Sequence, residues 1–214
     1  MRTKKFLFYL LAGLLGSCVP VISLRCLFTE ENIVFDEKLL GTWVGDPDES
    51  KGTWEFKRVT DSTEKDWELP LPKKPEKAYK LLLTNEEGAK GSFFAHLVKL
   101  EGRLFLDVCP SQFPSAQAQL DPKQDWVFNT VFLIPGHSFA VIDSIEPQLK
   151  IRWTTEDEMK NFLKEQPKAI KHELVDDRIV LTASTDALQK FVLKYADDKR
   201  IFPAEAVLVR KKGK

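Results

Sequence analysis

The chain has 214 residues, 43% of them apolar and 11% aromatic, including fifteen Phe and five Trp. That is enough to fill one sizeable core and too little for two comfortable domains. Lys+Arg and Asp+Glu balance at 32 each, and this zero net charge excludes the general nucleic-acid binder, which needs a basic surplus to displace counterions. The basic end Arg210-Lys211-Lys212-Gly213-Lys214 reads as a solvated tail and does not change that. At the other end, Arg2, Lys4 and Lys5 precede an uninterrupted apolar run from Phe6 to Leu15. A positive n-region followed by an apolar h-region is the pattern of a secretory signal.

Leu15-Gly16-Ser17-Cys18 follows the run directly. It resembles the lipobox of bacterial lipoproteins: an apolar residue, two small ones that let the peptidase close on the scissile bond, and a cysteine whose thiol takes the lipid. The resemblance implies a signal peptide over residues 1–17 and lipidation of Cys18 as the mature N-terminus. It also implies a lipid anchor on the bacterial cell envelope. Val19 rather than an aspartate after the cysteine implies the outer membrane over the inner. Two other readings stay open. Residues 6 to 24 carry no charge and are long enough to span a bilayer uncleaved, though Gly13, Gly16, Ser17, Pro20 and Ser23 interrupt them. Cleavage after Val21-Ile22-Ser23 would instead release a soluble protein.

The chain holds three cysteines, Cys18, Cys26 and Cys109. Lipidating Cys18 leaves Cys26 and Cys109 as an even pair in a compartment where disulfides persist, so a bridge between them is one expectation. Residues 18–35 read as the lipidated N-terminus and a tether with one helical turn, and residues 36–214 as a single β-rich domain.

Strand signals begin at Leu39-Leu40-Gly41-Thr42-Trp43-Val44. They continue over residues 51 to 59, where Trp54 and Phe56 alternate with Thr53, Glu55 and Lys57. Residues 61 to 77, with Pro70, Pro72 and Pro75, form a polar excursion that forbids a central strand. After a strand over 79–84, residues 91–100 and 103–109 flank Glu101-Gly102, the signature of a two-residue hairpin. That loop would set Leu100 opposite Arg103, Val98 opposite Phe105 and His96 opposite Asp107. Strands are expected at 126–134, 138–145 and 149–154, with Glu146-Pro147-Gln148 turning the last two.

The period then changes. Thr155 with Glu158 three residues on is a capping box, and Met159, Phe162 and Leu163 line one helical face. A short strand over 178–182 follows. A second helix is capped at Ser184 or Thr185, with Leu188, Phe191, Val192 and Tyr195 as its buried stripe, and a last strand covers 206–209. The fold class is therefore mainly β (α+β), an antiparallel β-barrel with two C-terminal helices, and a β-sandwich or another α+β arrangement stays open beside it.

Gly41-Thr42-Trp43 at the first strand resembles the G-x-W motif of lipocalins. In that family the Trp packs under an Arg from the last strand. The resemblance covers about residues 36 to 166 and implies a barrel-closing pair of Trp43 and Arg152. It also implies a hydrophobic ligand. Apart from the resemblance, the surplus of aromatics, with Phe94, Phe105 and Phe132 among them, can line a pocket for such a ligand or simply fill the core.

Catalytic and cofactor motifs are missing: no G-x-S-x-G elbow, no phosphate-binding glycine loop and no C-x-x-C. His96, His137 and His172 stand on separate elements without metal-ligand spacing, so no metal and no cofactor is expected. His96 beside Asp107 reads as a stabilising cross-strand pair, and His137 as a solvated loop residue. The expected function is a non-enzymatic envelope lipoprotein that binds a protein partner through surface loops such as 61–77. The alternative is a lipocalin-like carrier of an apolar molecule.

Overall fold

The computed structural model describes residues 20–45, 52–59, 72–85, 87–111 and 134–211. The first strands are two short ones, β1 (Ile22–Ser23) and β2 (Ile33–Val34). The main strands follow as β3 (Gly41–Val44), β4 (Thr53–Arg58), β5 (Ala78–Thr84), β6 (Lys90–Leu100) and β7 (Arg103–Pro110). Next come β8 (Ser138–Ser144), β9 (Gln148–Trp153) and helix α1 (Glu156–Glu165). Strands β10 (His172–Val175) and β11 (Arg178–Leu181), helix α2 (Thr185–Tyr195) and β12 (Ala204–Arg210) complete the chain.

Eight strands close an antiparallel barrel in the order β6, β5, β4, β3, β12, β9, β8, β7, with β7 returning to β6. Closure leaves no unpaired edge in the ring. Strand β2 continues the edge of β6 beyond β5, pairing Ile33 with Val98. The hairpin between β6 and β7 has the register that its turn predicts: Leu100 pairs with Arg103, Val98 with Phe105 and His96 with Asp107. Glu101 and Gly102 both have positive φ, at 47° and 83°, the geometry that matches a tight turn to the twist of two strands. Leu208 and its neighbours make β12 the eighth barrel strand, so the chain leaves the barrel for two helices and then returns. The strand expected at 126–134 lies outside the described residues except for Ile134, which is exposed and unpaired with any strand.

Alternation along the strands separates two cores. One face points into the barrel. Trp43, Trp54, Phe56, Tyr79, Leu81, Leu97, Leu106, Ile142, Ile151 and Leu208 form a single buried cluster there, drawn from all eight strands. The opposite face of β6, β7 and β8 carries Val98, Leu100, Phe105, Phe139 and Val141. Against this outer wall pack Met159, Phe162 and Leu163 of α1 and Leu188, Phe191 and Val192 of α2. Helix α1 starts at the expected capping box: Thr155 Oγ1 accepts from the Glu158 amide, and Glu158 Oε2 accepts from the Thr155 amide. Ser184 caps α2 by accepting from the Ala187 amide.

Three expectations are corrected. Residues 20–35 are no tether: Val21, Leu27, Phe28 and Ile33 are buried in the outer core. Strand β1 lies parallel to β11, which pairs with β10, forming a small second sheet. Arg210 is no part of a solvated tail but the last residue of β12. Phe105 belongs to the outer core rather than to the barrel interior.

Candidate functional site

Polar chemistry gathers on the outer wall of β6 and β7, where the N-terminal strap crosses it. Asp107 is fully buried. An ionised carboxylate taken out of water needs its charge answered by hydrogen bonds. Asp107 has two: Oδ2 accepts from the Leu27 amide at 2.7 Å, and Oδ1 accepts from His137 Nδ1 at 2.7 Å. The side chain thus ties the strap and the start of β8 to the barrel wall. Ser23 and His137 reinforce the junction through reciprocal backbone hydrogen bonds of 2.8 Å.

His96 stands across from Asp107 in the ladder, as the hairpin register requires. The expected contact between the two side chains is not made. Asp107 is occupied by His137 and Leu27, while His96 Nε2 donates to the Lys73 carbonyl at 2.9 Å. Since a carbonyl can only accept, the hydrogen of His96 sits on Nε2. His96 Nδ1 is then a buried acceptor without a hydrogen-bond partner among the described residues. Burial pushes the imidazole below its ordinary range, outweighing the Lys73 bond and the Asp107 charge that pull the other way. The Phe28 ring lies 4.2 Å from that of His96.

These residues border a cleft of about 230 Å³. The strap contributes Cys26 and Phe28; β6 and β7 contribute Phe94, His96, Cys109 and Pro110. Pro72, Lys73, Pro135 and His137 complete the rim. Phe94 lines this cleft outside the barrel and not a pocket within it. Phe132 lies outside the described residues.

Cys26 and Cys109 meet at this cleft as free thiols, without the expected bridge. Burial pushes both upward, Cys109 to about 12, and the Asp107 charge adds to it. Cys26 Sγ donates to the Phe28 carbonyl at 3.4 Å. Thiols held protonated in this way are weak nucleophiles and poor metal ligands. Among the described residues no group of three or more His, Cys, Asp or Glu is arranged to hold a metal ion.

The second predicted constellation also changes partner. Trp43 is fully buried, and the cation over its ring is Arg210, at 4.4 Å, rather than Arg152. Arg210 also donates to the carbonyls of Leu40 and Lys38, both at 2.5 Å, fastening β12 to the 3₁₀ turn before β3. This explains Gly41: its φ is +114°, and a Cβ there would stand 2.7 Å from Arg210 Nη1. The cover on Trp43 thus comes from β12, and the expected pair of Trp43 and Arg152 is not formed. Arg152 instead grips Asp143 and donates to the Ala196 carbonyl at 2.6 Å, holding the end of α2 to the barrel.

His137 is the site residue that sequence reasoning missed. It precedes β8, whose register against β7 pairs Asp107 with Phe139 and Val108 with Ser138. One further step would have brought His137 beside Cys109, but residues 112–133 separate the two strands in sequence, and nothing local fixes that register. Cys18 lies outside the described residues, and no described helix is long and apolar enough to cross a membrane. No family model, curated protein or solved structure matches the chain.

Proposed function

We propose that this chain is a lipid-anchored protein of the bacterial cell envelope, most simply on the outer membrane. In this reading its barrel acts without catalysis, as a rigid module offered to another envelope protein. The observation that carries this is the filled barrel. Large side chains from all eight strands, Trp43, Trp54, Phe56 and Tyr79 among them, meet in its interior. Such a core supports a stiff body rather than a vessel. The lipobox at Leu15-Gly16-Ser17-Cys18 supports the anchor, and the buried strap from Val21 onward would hold the domain close to the lipid.

Metabolic labelling with an alkynyl fatty acid, followed by membrane fractionation, tests the anchor. The wild-type chain should carry label and sediment with membranes, while Cys18→Ser should lose the label and become soluble. Unlabelled wild-type protein would sink this reading. Cross-linking in intact cells should then yield one defined partner band that an unrelated lipoprotein does not give.

A second reading, lipocalin-like binding of an apolar molecule, is supported by the barrel fold and the Trp43–Arg210 arrangement. The outer cleft rather than the packed interior is the place that favours it.

A further inference from the structure

We propose that the cleft on the outer wall of β6 and β7 is a binding site for a small, uncharged, mainly apolar molecule with one hydrogen-bond donor, such as a ring hydroxyl. This deepens the second reading above and is independent of the lipid anchor.

Size comes first. Sites for drug-sized ligands run from about 300 Å³ upward. A cleft of about 230 Å³ suits one ring or a short chain. Its walls are mainly Phe28, Phe94 and three prolines, which cannot replace the hydration of an ion, and Lys73 stands at the rim.

Polarity comes next, and it points to a donor. His137 spends Nδ1 on Asp107, whose carboxylate fixes the ring's orientation. The nitrogen left to meet an occupant is Nε2, which in the neutral ring is an acceptor. On the same wall, His96 Nδ1 is a second acceptor, buried and with no partner among the described residues. Among the described lining residues the donors are two thiols, which donate weakly, and the Lys73 side chain at the rim. Two histidine acceptors on one wall favour a ligand that brings a proton to share. Asp107 prepares this surface without touching the ligand; it acts as a positioning residue for His137.

The test uses the full chain in lipid nanodiscs at pH 8, above the ordinary imidazole range. Two probes of nearly equal shape are compared by ligand-observed NMR titration: p-cresol, which has a donor, and toluene, which has none. Protection of Cys26 and Cys109 from maleimide, read by mass spectrometry, reports whether a bound probe sits in the cleft. Wild type should bind p-cresol more tightly than toluene and slow alkylation of both cysteines. In His137→Phe the order should reverse by about tenfold, because a hydroxyl buried without a partner loses its hydration for nothing. Cys109→Phe fills the cleft without touching the Asp107–His137 pair and should abolish binding of both probes. Equal binding of the two probes to wild type would overturn the proposal. So would saturable binding that leaves both cysteines fully reactive, or no binding of either. None of these outcomes bears on lipidation of Cys18, which is read separately by labelling.

Discussion

At the scale of single residues, Asp107 and His96 show how one ladder position takes on two fates. Both are buried, and both sit at the non-local junction of strap and barrel. Asp107 is satisfied by groups 80 and 30 residues away in sequence, and it is the fastener of the strap. Asp107→Ala would strand the Leu27 amide and the His137 ring nitrogen together. A loss of about 3–5 kcal/mol in urea unfolding is expected, the range for breaking a buried polar pair. His96 predicts a pH effect of definite sign. Its folded value is held below its unfolded one, so its contribution is full above about 6.5 and is lost as pH falls from there toward the lower folded value. Wild type should therefore lose stability between neutral and mildly acid pH more steeply than His96→Leu. Parallel melting curves of the two proteins over that range would remove the assignment.

At the scale of elements, the contrast between Arg152 and Arg210 is instructive. Both lie on late barrel strands, and both grip carbonyls, but only Arg210 covers Trp43. Arg152 directly precedes a helix, as the lipocalin pattern asks, but the chain leaves the barrel for α1, two strands and α2 and then returns as β12, which carries Arg210. Arg210→Ala should cost about 1–2 kcal/mol: two hydrogen bonds to backbone carbonyls and a half-exposed cation–π contact, reduced by solvent screening. Quenching of tryptophan emission by iodide should rise in that variant, since the guanidinium no longer covers the ring. Arg152→Ala should leave the quenching unchanged. Local signals did fix several elements outright. The Glu101-Gly102 turn set a hairpin register correct at every pair it was asked to predict, and the Thr155–Glu158 box placed the start of α1.

At the scale of the whole molecule, the domain is a barrel with two hydrophobic cores, one inside and one plastered on its outer wall by the helices and the strap. This resolves a feature of the sequence: several strands are apolar on both faces, so alternation could not tell inside from outside. Trp54→Ala would open a void in the inner core and should destabilise by about 3–5 kcal/mol. The emptied barrel should then bind a hydrophobic dye that the wild-type barrel excludes. If wild type already takes up the dye with Trp54 quenched, the interior is less full than its side chains imply.

The sequence by itself determined the elements whose causes are local: the turn, the caps and the helical stripes. It also pointed to a mainly β fold with an antiparallel barrel but left a β-sandwich open, and it is β12 that closes the ring. Only the tertiary structure decided which residues meet. The Asp107–His137 pair, the Arg210 cover on Trp43, the burial of the strap and the cleft with its two cysteines all join segments far apart in sequence. Their positions follow from strand order and register across long connections. No local propensity encodes either, since both are set by the packing of the whole chain at once.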